Sequence, residues 1–263
     1  MGDQVVLLTG ATSGLGAWLA PRLADAGYTV LVHGRDPAKV ERTVRALGGR
    51  AAGYVADLAS LAECRRLAAE VAARGDLTVL VNNAAVGFGA PGAPREVSRD
   101  GYELRWAVNY LAPVALAEGL LDTLRANAPA QIVNVGSLGQ VPIDFSDLRL
   151  ERAYDGTVAY RRAKLALAAW SFELADELAD LGVRVNCLHP ATFMETAMVA
   201  EAEQSPMSTV DSGGLATLRL ITEERGTGGF FDGTREARAH RDAYHPNLRR
   251  RLRAVTRREL EVG

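Results

Sequence analysis

Residues 5–20 constrain this chain most. The apolar run Val5-Val6-Leu7-Leu8-Thr9 passes directly into Gly10-Ala11-Thr12-Ser13-Gly14-Leu15-Gly16, and then into Ala17-Trp18-Leu19-Ala20, which has helical character. A strand that turns straight into a helix through three glycines opens a βαβ unit. The glycines permit a tight turn and a close backbone approach to a pyrophosphate, whose charge is stabilised by free N–H groups at the helix N-terminus. Glycine also serves plain strand-to-helix turns. The placement, strand before and helix after, therefore carries the nucleotide reading.

The alternation continues along the chain. Residues 30–33, 51–56, 79–82, 131–135 and 183–188 read as further apolar, β-branched strands, separated by longer segments of helical period. Continuous apolar strands joined by helices predict a parallel sheet covered on both faces, with right-handed crossovers. The expected fold is α/β, a doubly wound sheet in a single domain over residues 1–263, because no linker divides the chain. Residues 165–181 read as one long helix following the Tyr160 turn, with Gly182 as its stop. The glycine-rich stretch 86–94 reads as an exposed loop.

Composition excludes several classes. Apolar residues at 48% and charges at 24% are ordinary for a soluble globular protein. The start, Met1-Gly2-Asp3-Gln4, leaves no room for a cleavable signal, and no uncharged run approaches membrane-spanning length, so a cytoplasmic protein without membrane insertion is expected. Cys64 and Cys187 read as buried small residues, and four histidines without ligand spacing give no metal site. Residues 235–263 carry nine arginines against four acids in a chain of net charge −2. Leu248, Leu252 and Val255 recur there at helical spacing, which predicts an amphipathic terminal helix docked on the core, not a nucleic-acid surface.

Two pairs of residues point to chemistry. Only Lys39 and Lys164 are lysines among thirty cationic residues, and Lys164 follows Tyr160 by four positions. On a helix the two share a face, and a fixed ammonium lowers a phenol from its usual pKa of about 10, making it a usable acid. Arginine is a broader cation and no substitute for a compact ammonium. At the end of the second strand, where a dinucleotide fold places an acid on the ribose hydroxyls, the chain has Gly34-Arg35. An arginine there pairs with a 2′-phosphate, favouring NADP(H) over NAD(H); the alternative is a solvated surface charge. Asp36-Pro37 reads as a helix N-cap with proline at N1, which accounts for that acid.

Taken in order, Thr9-Gly10-Ala11-Thr12-Ser13-Gly14-Leu15-Gly16, Asp57-Leu58, Asn82-Asn83-Ala84-Ala85, Asn109, Ser137 and Tyr160-x-x-x-Lys164 resemble a classical short-chain dehydrogenase/reductase, a Rossmann fold, over nearly the whole chain. The resemblance implies a dinucleotide held by Gly10, Thr12, Ser13, Gly14, Leu15, Gly16, Arg35, Asp57, Leu58, Asn82, Ala84, Tyr160, Lys164, Pro190 and Thr192. It implies catalysis by Asn109, Ser137, Tyr160 and Lys164: Tyr160 exchanges a proton with the substrate oxygen, Ser137 donates a hydrogen bond there, and Lys164 tunes Tyr160 and holds the nicotinamide ribose. Pro113 has no N–H to give the Asn109 carbonyl, which frees it for the water the family places between lysine and solvent; a simple helix kink is the alternative.

Two departures qualify the match. Ser137 and Tyr160 stand 23 positions apart, a longer gap that, with the ending Gly228-Gly229-Phe230-Phe231, is similar to the retinol-dehydrogenase-like and protochlorophyllide-reductase-like branch. After Pro190 the usual glycine is Ala191, leaving the nicotinamide contact to Thr192 or Thr196. Residues 191–214 correspond to the family's mobile lid, where Phe193, Met194, Met198 and Met207 suggest an apolar pocket. The expected activity is NADP(H)-dependent interconversion of a carbonyl and an alcohol. An imine or activated-alkene reductase on the same site, and a non-catalytic NADP-binding regulator, are the alternatives. The alanine-rich helix resembles the family's dimerisation helix, so a homodimer or homotetramer is expected.

Overall fold

The computed structural model describes residues 4–262; Met1 to Asp3, on which the reading of the N-terminal start falls, and Gly263, the last residue of the basic tail, lie outside them. Six parallel strands appear in the expected places: β1 (Val5–Leu8), β2 (Thr29–Gly34), β3 (Ala51–Val55), β4 (Val79–Asn82), β5 (Ala130–Val135) and β6 (Val183–His189). Two more were not read from sequence, β7 (Phe230–Asp232) and β8 (Arg235–Ala237), each three residues long. Three residues are too few to show a period. The sheet order is β3-β2-β1-β4-β5-β6-β7-β8, parallel throughout except for the β7–β8 hairpin.

The order reverses between β1 and β4, so a crevice opens at the carboxyl ends of these strands, where open α/β sheets bind ligands. Side chains alternate across the sheet: Val5 and Leu7 enter one core layer, Val6 and Leu8 the other. The first layer lies under α3 (Leu61–Ala72), α5 (Ala112–Ala126) and α6 (Gly156–Leu178). The second lies under α1 (Gly14–Asp25), α2 (Pro37–Leu47) and α8 (Val210–Thr222), while two short helices, α4 (Leu104–Trp106) and α7 (Ala197–Glu201), border the crevice. Cys64 and Cys187 are both buried free thiols. No helix among the described residues is long and apolar enough to cross a membrane.

α6 starts earlier than the alanine-rich run suggests. Asp155 caps it by accepting from the Val158 N–H at 2.9 Å, so Tyr160 lies inside the first turns. Ala163 to Ala169 are seven consecutive buried residues. Such a run spans nearly two turns, so the helix is covered on all sides there by the chain itself. Part of the cover is the terminal helix α9 (Pro246–Val262), whose Leu252, Thr256 and Leu260 are buried at four-residue spacing. Tyr110 and Thr256 share a hydrogen bond at 2.5 Å, Trp106 Nε1 donates to Glu259 at 3.0 Å, and Arg249 pairs with Asp176 of α6 at 2.8 Å.

Candidate active site

The crevice is a cleft of about 750 Å³ running from the glycine turn to the residues around Tyr160. At one end, Gly10 and Gly14 take left-handed backbone conformations (φ +65° and +49°), and a Cβ on Gly16 would stand 2.0 Å from the Gly10 carbonyl oxygen. Ser13 caps α1 without a side-chain hydrogen bond, leaving first-turn donors to a ligand. Asn83 ties the turn to β4: its Nδ2 donates to the Thr9 carbonyl at 2.7 Å, while its N–H and that of Ala84 donate to Thr9 Oγ1. The cradle is shaped for a pyrophosphate, since no side chain fits where the backbone must approach.

His33 was invisible to the sequence reading and completes this end. Its Nδ1 accepts from the Gly10 N–H at 3.2 Å, so its Nε2 carries the proton and donates to the Ala56 carbonyl at 3.1 Å. Burial pushes its pKa down to about 4, keeping it neutral. Gly34 lets Thr12 pack against the strand end, 2.9 Å from where a Cβ would lie. Arg35 is exposed on the rim, and Lys39, also unread in the sequence, lines the same cleft one helical turn on. Asp36 caps α2 as expected, accepting from the N–H groups of Ala38 and Lys39.

Asp57 and Leu58 line the cleft, with Asp57 Oδ1 accepting from Ala59 and Arg99 standing 3.8 Å from Oδ2. Asn82 does not line it. Its side chain points into the sheet, where Nδ2 donates to Asn134 Oδ1 at 2.8 Å, because in a strand successive residues face opposite ways; Asn83 and Ala84 form the wall instead. Pro190 and Thr192 both line the cleft, but the Thr192 hydroxyl turns back to His189 at 3.0 Å. Thr196 lies nearer the glycine turn, 3.4 Å from where a Cβ on Gly14 would stand.

At the other end, Ser137, Tyr160 and Lys164 converge. Ser137 follows β5, and its Oγ accepts from the Gly139 N–H at 3.0 Å. Lys164 is buried, donates to the Val135 carbonyl at 2.7 Å, and holds its ammonium 5.5 Å from the Tyr160 ring centre. The expected lowering of Tyr160 by Lys164 is not what this arrangement produces. Burial pushes the phenol up to about 12, opposed by a hydrogen bond with Ser137, and burial pushes Lys164 down to about 8. Loss of solvation outweighs a cation that faces the ring and is already bonded to a carbonyl.

Asn109 sits in a five-residue π-turn, Ala107–Leu111, ahead of Pro113, the distortion expected where proline cannot donate. Its side chain is fully buried and grips the loop after β4: Oδ1 accepts from the Val86 N–H at 2.7 Å and Nδ2 donates to the Val86 carbonyl at 2.9 Å. It shapes the site from behind and does not line the cleft. Of the lid residues, Phe193, Met194 and Met198 face the cleft, whereas Met207 is 71% exposed and turned outward. The lid is folded on itself through Met207 N–H to the Phe193 carbonyl and Ser208 Oγ to the Thr192 carbonyl. Phe88, unread in the sequence, packs edge-on against Tyr160 at 4.6 Å between ring centres.

Residues 4–206 match the sequence model of the short chain dehydrogenase family. Retinol dehydrogenase 13 of Mus musculus is 34% identical, covering 95% of this chain and 81% of that protein; its Homo sapiens counterpart is 31% identical, covering 97% and 84%. Among solved structures, an uncharacterized protein from Mycobacterium Paratuberculosis superposes with a TM-score of 0.82 at 27% identity, over 98% of this chain and 93% of that one. The Pseudomonas aeruginosa RhlG/NADP active-site complex superposes with a TM-score of 0.71 at 28% identity, over 87% and 94%.

Proposed function

Because this chain belongs to the short chain dehydrogenase family, we propose that it is an NADP(H)-dependent oxidoreductase that interconverts an apolar carbonyl compound and its alcohol at Tyr160. The observation that carries this reading is the meeting of Ser137, Tyr160 and Lys164 at the inner end of a cleft whose outer end is cut for a dinucleotide. The cradle fits such a group on physical grounds: the Gly16 position admits no Cβ and the start of α1 offers uncapped donors. When bound, the dinucleotide supplies or accepts the hydride.

The chain's own residues do the rest. A phenol pushed up to about 12 stays protonated at neutral pH and donates to a carbonyl oxygen as it gains electron density. Ser137, beside that phenol in the cleft lining, turns its one O–H to the same substrate oxygen as a second donor, and removing such a donor typically costs about 3 kcal/mol of transition-state stabilisation. Lys164 lies behind the phenol, fixed to Val135, where its charge offsets negative charge developing on Tyr160. Apolar Phe88, Phe193, Met194 and Met198 in the same lining favour an apolar substrate. The name of the mammalian relatives points the same way, retinol being a primary alcohol on a conjugated chain.

The preference for NADP(H) rests on charge. Arg35 and Lys39 both stand at the rim of the cleft, and Asp36 spends its carboxylate on capping α2. Two cations therefore outnumber the one capping carboxylate at this rim, which favours a 2′-phosphate. One experiment tests the whole reading: purified protein is offered aldehydes and ketones with NADPH and with NADH, alongside Tyr160→Phe and Arg35→Asp. Turnover is expected with NADPH first, a fall of about 1000-fold in kcat for Tyr160→Phe, and a loss of the NADPH preference for Arg35→Asp. Near-full activity of the phenylalanine variant would remove Tyr160 from the role.

A further inference from the structure

Two arginines follow Tyr160, and the helix sends them different ways. Arg162 Nη1 donates to the Asp147 carbonyl at 3.2 Å, in the loop that precedes α6. Arg161, about 100° away round the helix, is exposed and lines the cleft. Gly139 fixes where it stands: a Cβ there would lie 3.4 Å from Ser137 Oγ and 3.6 Å from Arg161 Nε. No more than about 7 Å therefore separates the hydroxyl that donates to the substrate oxygen from the start of the guanidinium. A hydrogen-bonded oxygen takes up about 3 Å of that reach, so a group held by the arginine is only a few bonds from the reacting carbon.

The nearby acids are engaged elsewhere. In the loop before α6, Asp144 and Asp147 face Arg152 at 3.7 Å and 3.4 Å. Of the carboxylates that line the cleft, Asp36 caps α2, Asp57 faces Arg99 at 3.8 Å, and Glu96 pairs with Arg105 at 3.2 Å. Glu201, exposed on α7, is the remaining acid of the lining, and among the described residues no ion pair holds Arg161. A guanidinium is charged at any working pH and presents a planar fork of donors that matches a carboxylate. Beside it at the mouth stands Leu138, 46% exposed. One cation set into an otherwise apolar substrate end suits a molecule that is apolar over most of its body and anionic at one point.

We propose that the substrate carries a carboxylate a few carbons from its carbonyl, and that Arg161 binds this carboxylate and so determines which carbonyl compounds the site accepts. This rests on the carbonyl-reductase reading above. The contact is the same before and during hydride transfer, so it acts on KM and not on kcat. The test compares kcat/KM with NADPH, in the full chain, for succinic semialdehyde and terephthalaldehydic acid, each against its own methyl ester. The ester keeps the carbon skeleton and the reacting carbonyl and removes the charge. The wild type prefers each acid about tenfold at low salt, and 1 M salt erases most of that preference, since the cation is open to solvent. Arg161→Met brings the acid-to-ester ratio to about one through KM, Arg161→Glu inverts it, and Arg161→Lys keeps part of it. Arg162→Met removes the same charge one residue away, outside the cleft lining, and keeps the wild-type ratio.

An Arg161→Met ratio within twofold of wild type would overturn the proposal, as would a wild type that favours the esters. Equal losses on acid and ester would assign Arg161 to holding Tyr160 or Ser137 in place. An equal shift in Arg162→Met would assign the effect to the general charge of this surface, and a preference that survived 1 M salt would put the carboxylate elsewhere. Each of these also overturns it, and the salt series does so without any variant. Turnover of neutral aldehydes with neither acid accepted overturns this proposal and leaves the functional reading standing, whereas absence of any carbonyl turnover removes both.

Discussion

The two ends of the cleft are built by different means. The nucleotide end is made of backbone: glycines where no Cβ fits, strand ends in register, and short side chains such as Thr9 and Asn83 that bond to carbonyls and N–H groups one strand away. The substrate end is made of side chains that meet across long stretches of sequence: Phe88 with Tyr160 and Phe193, Arg105 with Tyr154, Asn109 with Val86. Backbone construction leaves one solution for a ligand common to a whole family. Side-chain construction can be altered residue by residue, so the variable part of the chemistry belongs there.

Two glycine substitutions put this contrast under the greatest strain. In Gly16→Ala the new methyl meets a carbonyl oxygen 2.0 Å away, which no rotamer change relieves. The expected outcome is a loss of NADPH affinity of at least about 100-fold, close to 3 kcal/mol, read by fluorescence titration. In Gly156→Ala the clash is as close, 2.1 Å, but with the Phe88 carbonyl. There NADPH affinity should stay within a few-fold of wild type, while kcat/KM for carbonyl substrates falls about tenfold or more. If both variants lost the same parameter, the two ends would be one mechanical unit and the contrast would fail.

The same difference explains what the sequence revealed. Gly10, Gly14 and Gly16 could be assigned from local order because the constraint on them is local, and Asp36-Pro37 announced a helix cap for the same reason. Tyr160 and Lys164 were legible as one helical turn. His33 was not, since its task depends on Gly10 and Ala56, each 23 residues away. Asn82 was placed on the cleft wall because its neighbours were, and strand alternation turned it inward. The electrostatics of Tyr160 were misjudged because spacing shows which groups are near and says nothing about how much water each has lost. What packs against α6 was not legible either, because α9 comes some seventy residues later.

Lys164 sits on the seam between the two ends, and its cost can be measured. Its ordinary pKa of 10.5 falls to about 8 because the ammonium is buried. Below pH 8 folded and unfolded chains both hold the proton, so the whole penalty of burying charge is present. Between pH 8 and 10.5 only the unfolded chain holds it, so stability rises with pH and the penalty fades. Lys164→Met should therefore stabilise the fold at pH 7 by about 2 kcal/mol, less than the full shift implies because Val135 loses a donor, and the gain should shrink by pH 9.5. Thermal unfolding at both pH values checks it. An equal gain at both would mean that the charge is not what the fold pays for, and catalysis should fall whichever result is found.

The smallest expected effect concerns what backs the substrate end. α9 lies behind α6, Trp106 and Tyr110, and is attached in two ways: by buried Leu252, Thr256 and Leu260, and by a rim of ion pairs. Arg253 belongs to the rim, pairing with Glu173 and Glu177 while its side chain stays 41% exposed. A pair so open to solvent is screened and must hold long side chains still, and such pairs are worth about 0.5 kcal/mol. Arg253→Ala should lower Tm by only about 1–2 °C, and 1 M salt should abolish the difference. A larger drop that survived salt would mean that the arginine stem packs as part of the helix's apolar attachment, and that the support of the substrate end reaches the protein surface.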